Sequence, residues 1–149
     1  MLSSGDEIGQ VNGYGYHDDP ALREDSRNLH RTPFNWNNAA LREQSGTVQQ
    51  RIWDGLRQME TLRASELCFG PEAVVTTWDT HNRHVLALVR RVGEEMLVFL
   101  ANFSGQEQTA VLDDMEGVFT DLITGKETLC SSLRLSPYQY TWCRSEGVR

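Results

Sequence analysis

"HVLALVRRVGEEMLVFLANFS", His84 to Ser104, holds two runs rich in valine and leucine on either side of the turn signal "VGEE". Short runs of this kind, bounded by glycine and polar residues, read as β-strands. The pattern continues outward in both directions. "AVVTTWDT" precedes it, and "QTAVL", "VFTDLIT" and "LRLSPYQYTWC" follow, separated by "THNR", "FSGQ", "DDMEG" and "TGKE". About six strands at this even spacing predict a mainly β fold, an antiparallel sandwich of Greek-key type.

Upstream of residue 66 the character changes. In "TVQQRIWDGLRQMETLRAS", Thr47 to Ser65, the apolar residues Val48, Ile52, Trp53, Leu56, Met59 and Leu62 recur at helical spacing. Thr47 followed by Gln50 has the form of a capping box, which starts the helix there. The apolar stripe needs a partner, and the polar segment before it offers none. That segment, residues 5–46, is rich in Gly, Asn, Asp and Arg with little hydrophobic periodicity. A loop this long is not an ordinary connection and reads as functional or as part of something larger. The opening "MLSSG" reads as the end of a strand meeting a glycine turn.

The formal charge of −7 on 149 residues comes without a basic patch or stripe, which argues against nucleic acid or a membrane surface as partner. Lys126 is the only lysine. The arginine bias suits forked pairing with carboxylates, or reflects the composition of the source genome. Cys68, Cys130 and Cys143 lack metal-ligand spacing and read as reduced, partly buried thiols of a cytoplasmic protein. No apolar run is long enough to cross a bilayer, and "MLSSGDEIGQ" lacks a signal-peptide profile.

Asp6 and Glu7 are adjacent carboxylates, the groups glycoside chemistry needs, but on a continuing strand they would point to opposite faces. "HDDP", His17 to Pro20, and "HNRH", His81 to His84, read as turns rather than metal sites, because a third ligand is missing in each. No nucleophile elbow and no helix-opening phosphate loop is present. The glycines of "GQVNGYG" let the chain turn beside Tyr14 and Tyr16. The densest signal is "DSRNLHRTPFNW". Pro33 stiffens the chain just after Arg31, so this arginine suits a forked pair at the bottom of a pocket. Arg27 lies four residues before it. A rigid structural loop whose arginines pair with surface acids is the equal alternative.

Taken together, these stretches resemble the C-terminal end of enzymes of the α-amylase superfamily, glycoside hydrolase family thirteen. "LSSGDEIGQVNGYGY" is similar to the eighth barrel strand and following loop, and "DPALREDSRNLHRTPFNW" to the arginine-bearing stretch after it. "HVLALVRRVGEEMLVFLANFSGQ" and "VFTDLITGKE" to "LRLSPYQYTW" resemble strands of the C-terminal β-domain. The resemblance divides the chain into residues 1–66, the end of a (β/α)8 barrel with its last helix at 47–65, and residues 67–149, the β-sandwich. "GYGYHDDPALREDSRNLHR" most resembles the amylosucrase branch, which moves glucose from sucrose onto an α-1,4-glucan and releases fructose. The "RTP" at Arg31 to Pro33 also suits trehalose synthases and α-glucosidases.

Such a barrel takes roughly 250 residues, with catalytic groups at the ends of several strands. The resemblance implies that the nucleophile, the acid/base and the third acid all lie upstream of Met1, that no cofactor or metal is needed, and that this chain alone is inactive. It assigns Arg31 to the sugar pocket, Asp6 and Glu7 to its support, and Tyr16, Asp18 and Arg27 to the lining loop. It leaves the helix stripe to be covered by the sandwich or by a second copy in a homodimer. A different reading makes the sandwich a structural or carbohydrate-binding module, with Trp78, Tyr138, Tyr140 and Trp142 available to stack on sugars.

Overall fold

The structure is a computed structural model describing residues 4–145. The chain forms two compact units, Met1–Glu60 and Thr61–Arg149.

The second unit is a β-sandwich of eight strands: β1 (Val74–Trp78), β2 (Val85–Val92), β3 (Glu95–Asn102), β4 (Gln108–Val111), β5 (Val118–Asp121), β6 (Lys126–Leu129), β7 (Ser132–Leu135) and β8 (Tyr140–Ser145). All pair antiparallel, in a six-stranded sheet of order β1-β2-β3-β8-β5-β6 and a two-stranded sheet β4-β7. After β3 the chain crosses to the small sheet, and after β7 it returns to place β8 between β3 and β5. This is the mainly β sandwich that the strand spacing predicts, with two strands more. β6 lies inside the apparent turn "TGKE": Gly125 takes the left-handed turn at φ 70, and Lys126 already pairs with Asp121. The run "LRLSPYQYTWC" is two strands, because Ser136–Gln139 form a tight turn with Tyr138 at φ 57.

Alternation places Val85, Ala87 and Val89 of β2, Val98 and Leu100 of β3, and Cys143 of β8 on one face of the large sheet. They form one buried core with Ala110, Leu112 and Leu135 from the small sheet and its edge. The other face is covered too. Leu97 is fully buried there, flanked in register by Arg90 of β2 and Arg144 of β8. A 3-10 turn, Leu67–Phe69, lays Phe69 against Phe99 and Trp142, with ring centroids 5.4 and 4.9 Å away. Arg90 donates from Nε to the Cys68 carbonyl and from Nη2 to the Gly70 carbonyl at 3.0 Å. Arg144 Nη1 lies 2.8 Å from Glu66 Oε1, whose side chain is only 9% exposed. Trp142 is therefore a packing residue and gives no stacking platform for sugars, unlike Tyr138, which is 71% exposed.

The first unit contains the short helix α1 (Trp36–Ala40) and most of α2 (Val48–Ser65), which crosses the boundary between the units. Thr47 Oγ1 accepts the Gln50 amide at 3.1 Å, and Gln50 Oε1 accepts the Gly46 amide at 3.1 Å. The capping box thus reaches one residue beyond the cap. No residue of α2 is buried, and Ile52, Trp53, Leu56, Met59 and Leu62 remain half-covered. Most of the strand end expected in "MLSSG", Met1–Ser3, lies outside the described residues, and the glycine turn it was to meet is present at Gly5. Asp6–Ile8 form a 3-10 turn between Gly5 and Gly9, both left-handed at φ 99 and 62. Asp6 and Glu7 therefore stand on a turn rather than on a strand. The physical reason is local: Ile8 and Gln10 both donate to the Gly5 carbonyl, and the Glu7 carboxylate accepts the Gly5 amide at 2.9 Å.

The turns expected at the histidines are present. His81, at φ 51, accepts the bend between β1 and β2, and its Nε2 lies 2.7 Å from Asp113 Oδ2. Among the described residues no helix is long and apolar enough to cross a membrane.

Two outcomes test these contacts. Arg144→Met leaves Glu66 without its charge partner and is expected to destabilise the sandwich by about 2 kcal/mol in chemical denaturation. The His81 pKa is raised above 6.5 by the hydrogen bond to Asp113, then by the charges of Asp113 and Asp79. Its stabilising contribution is thus complete below 6.5 and lost as pH rises through the raised value. Melting temperature followed against pH should show that loss, and Asp113→Asn should remove it.

Candidate functional site

The long polar segment of the first unit is ordered by side chains bonding to backbone, not by regular structure. Gln10 is its hub. Gln10 Nε2 donates to Thr32 Oγ1 at 2.7 Å and to the Pro33 carbonyl at 3.2 Å, while Oε1 accepts the Asn35 amide at 3.0 Å. Gly13 donates to the Leu29 carbonyl at 3.0 Å, and His30 Nδ1 lies 3.1 Å from Asn12 Oδ1. These contacts lay residues 10–13 beside residues 29–35. Gly13 must be glycine for this approach, since a β-carbon there would overlap the Thr32 methyl group.

Between the paired stretches opens a cavity of about 320 Å3, lined by Gly13, Tyr16, Asn28, Arg31, Thr32 and Pro33 among others. A smaller one of about 90 Å3 is lined by Ser4, Asp6, Asn12, His30 and Thr32. Thr32 touches both. The sequence-predicted residues therefore separate into groups. Tyr16 and Arg31 share the larger cavity, and Asp6 lines the smaller. Glu7, Asp18 and Arg27 line neither. Glu7 caps its own turn, Asp18 ends the exposed 3-10 turn Gly15–Asp18, and Arg27 turns back on Asp25.

Asp25 is the residue that sequence reasoning missed. It caps the 3-10 turn Ser26–His30, accepting the Arg27 amide at 3.0 Å. Arg27 also forks onto it, Nε to Oδ1 at 2.7 Å and Nη2 to Oδ2 at 2.8 Å. Arg31 Nη1 stands farther off, 3.7 Å from Oδ2. The hydrogen bonds from the Arg27 side chain and amide hold the Asp25 carboxyl down at about 2. Arg27 has thus taken the short bonds, and the half-exposed Arg31 fork keeps donors for a ligand in the cavity. The signal was available: an Asp two residues before an Arg at a turn start is an Asx-turn pattern. Gln10 had no comparable signal, since its partners lie more than twenty residues away.

The site suits a polar, hydroxyl-rich molecule. It offers a guanidinium, a phenol, an asparagine amide and a threonine hydroxyl around glycine backbone. Among the described residues no group of three His, Cys, Asp or Glu side chains could hold a metal ion.

No protein-family model matches the chain. Among solved structures it is similar to AmyP crystallised with maltotriose, at 18% identity and a TM-score of 0.60, over 71% of this chain and 23% of that one. With AmyP crystallised with maltose the values are 19% and 0.53, over 80% and 23%. It is also similar to the trehalose-6-phosphate hydrolase TreA of Bacillus licheniformis, at 21% and 0.54, over 62% and 18%. The chain spans less than a quarter of the length of each of these proteins. At such identities the likeness shows the fold alone, a mainly antiparallel β architecture.

Because its folded pKa is depressed, Asp25 contributes order to the loop above its ordinary 3.8 and loses it as pH falls through about 2. Carboxyl NMR titration should find this value, and Arg27→Ala should return it most of the way toward 3.8.

Proposed function

We propose that this chain is the C-terminal part of a retaining enzyme of the α-amylase superfamily, an amylosucrase that transfers glucose from sucrose to an α-1,4-glucan and releases fructose. In this reading residues 1–66 complete a (β/α)8 barrel and residues 67–149 are the domain behind it. The observation that carries it is Arg31 in the wall of a hydroxyl-lined cavity, with its nearest acid already claimed by Arg27. The fold shared with two sugar-processing enzymes supports the superfamily, and the stretch from Gly13 to Arg31 supports the branch.

Arg31 acts here as a binding residue. Its fork pairs with an acidic group at the floor of the glucose pocket, supplied by the upstream barrel, and so fixes the depth at which the sugar sits. Tyr16 and Thr32 bound the same space, and Asp6 supports it from the adjoining cavity. Retention needs two carboxyls roughly 5–5.5 Å apart, one attacking and one protonating the leaving oxygen. No carboxylate pair of this kind lines the Arg31 cavity, so both would come from upstream strands, and the chain alone would be inactive. The half-covered stripe of α2 fits the same picture. The remaining barrel would cover it in the intact enzyme, and a second copy when the chain is alone.

Hydrolysis is the second reading, favoured by the fold likeness to a trehalose-6-phosphate hydrolase and by "RTP" at Arg31 to Pro33. The intact enzyme should release fructose from sucrose. Glucose from maltose, with no fructose from sucrose, would select the α-glucosidase reading instead. Arg31→Ala in the intact enzyme is expected to lower kcat/KM for sucrose by about 100-fold. Arg31→Lys should recover little of it, because an ammonium cannot fork.

A further inference from the structure

We propose a second carbohydrate site, in the β-sandwich, that binds one neutral hexose unit between β5–β6 and the β7–β8 turn. It goes beyond the catalytic reading and rests only on residues of the second unit. The cavity there measures about 240 Å3, and its lining includes Asp121, Lys126, Thr128, Leu133, Gln139 and Thr141. That is below the roughly 300–1,000 Å3 of pockets for drug-sized ligands, which sizes the occupant to a single small ring.

The chemistry of the lining selects the class. Two polar groups are deeply buried at its base, Asp121 at 7% and Thr141 at 2% exposure. Asp121 is already used as an acceptor, by the Ile123 amide at 3.0 Å and the Thr124 hydroxyl at 2.7 Å. Its carboxylate is therefore turned inward on its own turn and is poorly placed to grip a cation. Thr141 has a thiol, Cys143 Sγ at 3.4 Å, as its hydrogen-bond partner among the described residues. A thiol is a weak partner, so the Thr141 hydroxyl retains capacity for a better one. Gln139 is pinned: its Oε1 accepts the Ser136 amide at 2.8 Å, and its carbonyl accepts the Asn102 amide at 2.9 Å. The Nε2 group keeps its donors. Thr128 adds a hydroxyl that both donates and accepts.

Charge works against small anions. Asp121 and Glu127 face Lys126 alone, so the cavity carries net negative charge and repels phosphate or carboxylate. What remains is a neutral molecule with several groups that donate and accept at once, against one apolar wall at Leu133. A hexose has that surface.

The test uses the full chain and follows 1H–15N spectra while D-glucose is added, with inorganic phosphate and calcium chloride as comparison ligands. Saturable shifts confined to Gln139 Nε2 and to the amides of Thr128 and Thr141 are the expected result. Thr141→Val keeps the shape but loses the hydroxyl, and should weaken glucose binding about tenfold. Thr128→Val, at the more exposed strand, gives the same reading if the first variant disturbs the core. The site is overturned by an absence of saturation with glucose, by glucose shifts that neither variant reduces, or by tighter binding of phosphate or calcium. None of these outcomes depends on turnover of sucrose.

Discussion

A sheet that is apolar on both faces sets the terms for this structure. Strands β2 and β3 carry large apolar side chains at both parities, and β8 adds Trp142 to one face and Cys143 to the other, so neither face can be left to water. The small sheet β4–β7 closes one side through Ala110, Leu112 and Leu135. The other side holds Leu97, Phe99 and Trp142, and the turn at Leu67–Phe69 packs onto it through Phe69. Partial burial of those rings is favourable, each at a fraction of the roughly 1.5–3 kcal/mol that full burial of a large apolar side chain gives. Two arginines make the arrangement specific. Arg90 takes the carbonyls of Cys68 and Gly70, and Arg144 takes the Glu66 carboxylate, so the chain leaving α2 can meet the sheet in only one register. A lysine could satisfy one carbonyl but could not reach two from a single planar group. The arginine bias of the sequence has a structural use here.

The strands were legible because short runs rich in valine, leucine and threonine are bounded by glycine and polar turn signals. Where that signal failed, a competing local rule had intervened. "KETL" forms β6 with three of its four residues exposed or nearly so, and a strand at the edge of a sheet has little apolar alternation to show. The break between β7 and β8 was hidden because Tyr138 looks like a strand residue. It instead occupies the left-handed region, held by its own amide donating to Ser104 and by Gln139 closing the turn on Ser136. Residues 5–46 were legible only as irregular. Their order comes from Gln10, Asp19, Asp25 and Asn35 bonding to backbone, and such bonds have no period to detect.

The same logic explains how the candidate site was half read. Pro33 and the density of polar groups pointed to Arg31, and Arg31 lies in the cavity. Arg27 and Arg31 lie four residues apart, a spacing that on an α-helix would bring them to one face. A 3-10 turn winds more tightly, and the Asp25 cap draws Arg27 back onto itself through amide and guanidinium at once. The two arginines then compete for one carboxylate, and proximity in the chain decides the winner. At 3.7 Å in exposed surroundings Arg31 gains little from Asp25. A ligand or neighbouring acid that offers a fork can outbid this, because little has to be given up.

Arg31 and Gln139 share a design that links the two cavities in physical terms, though they lie in different units. In each, part of the residue is fixed by short contacts. The Arg31 amide bonds to Asn28 and its chain runs into Thr32 and Pro33, which Gln10 anchors; the Gln139 carbonyl and Oε1 are bound to Asn102 and Ser136. In each, the outer donors remain with weak partners or none. Donors held in place before a ligand arrives cost little ordering entropy on binding, which is what makes a shallow polar cavity selective at all. An arginine and an amide held this way differ in charge, and so they sort ligands differently. The first favours an acidic counterpart or a hydroxyl cluster beside one, the second a neutral hydroxyl alone. The positions are set by backbone bonds that no spacing in the sequence discloses, which is why the first was found only through its proline and the second not at all.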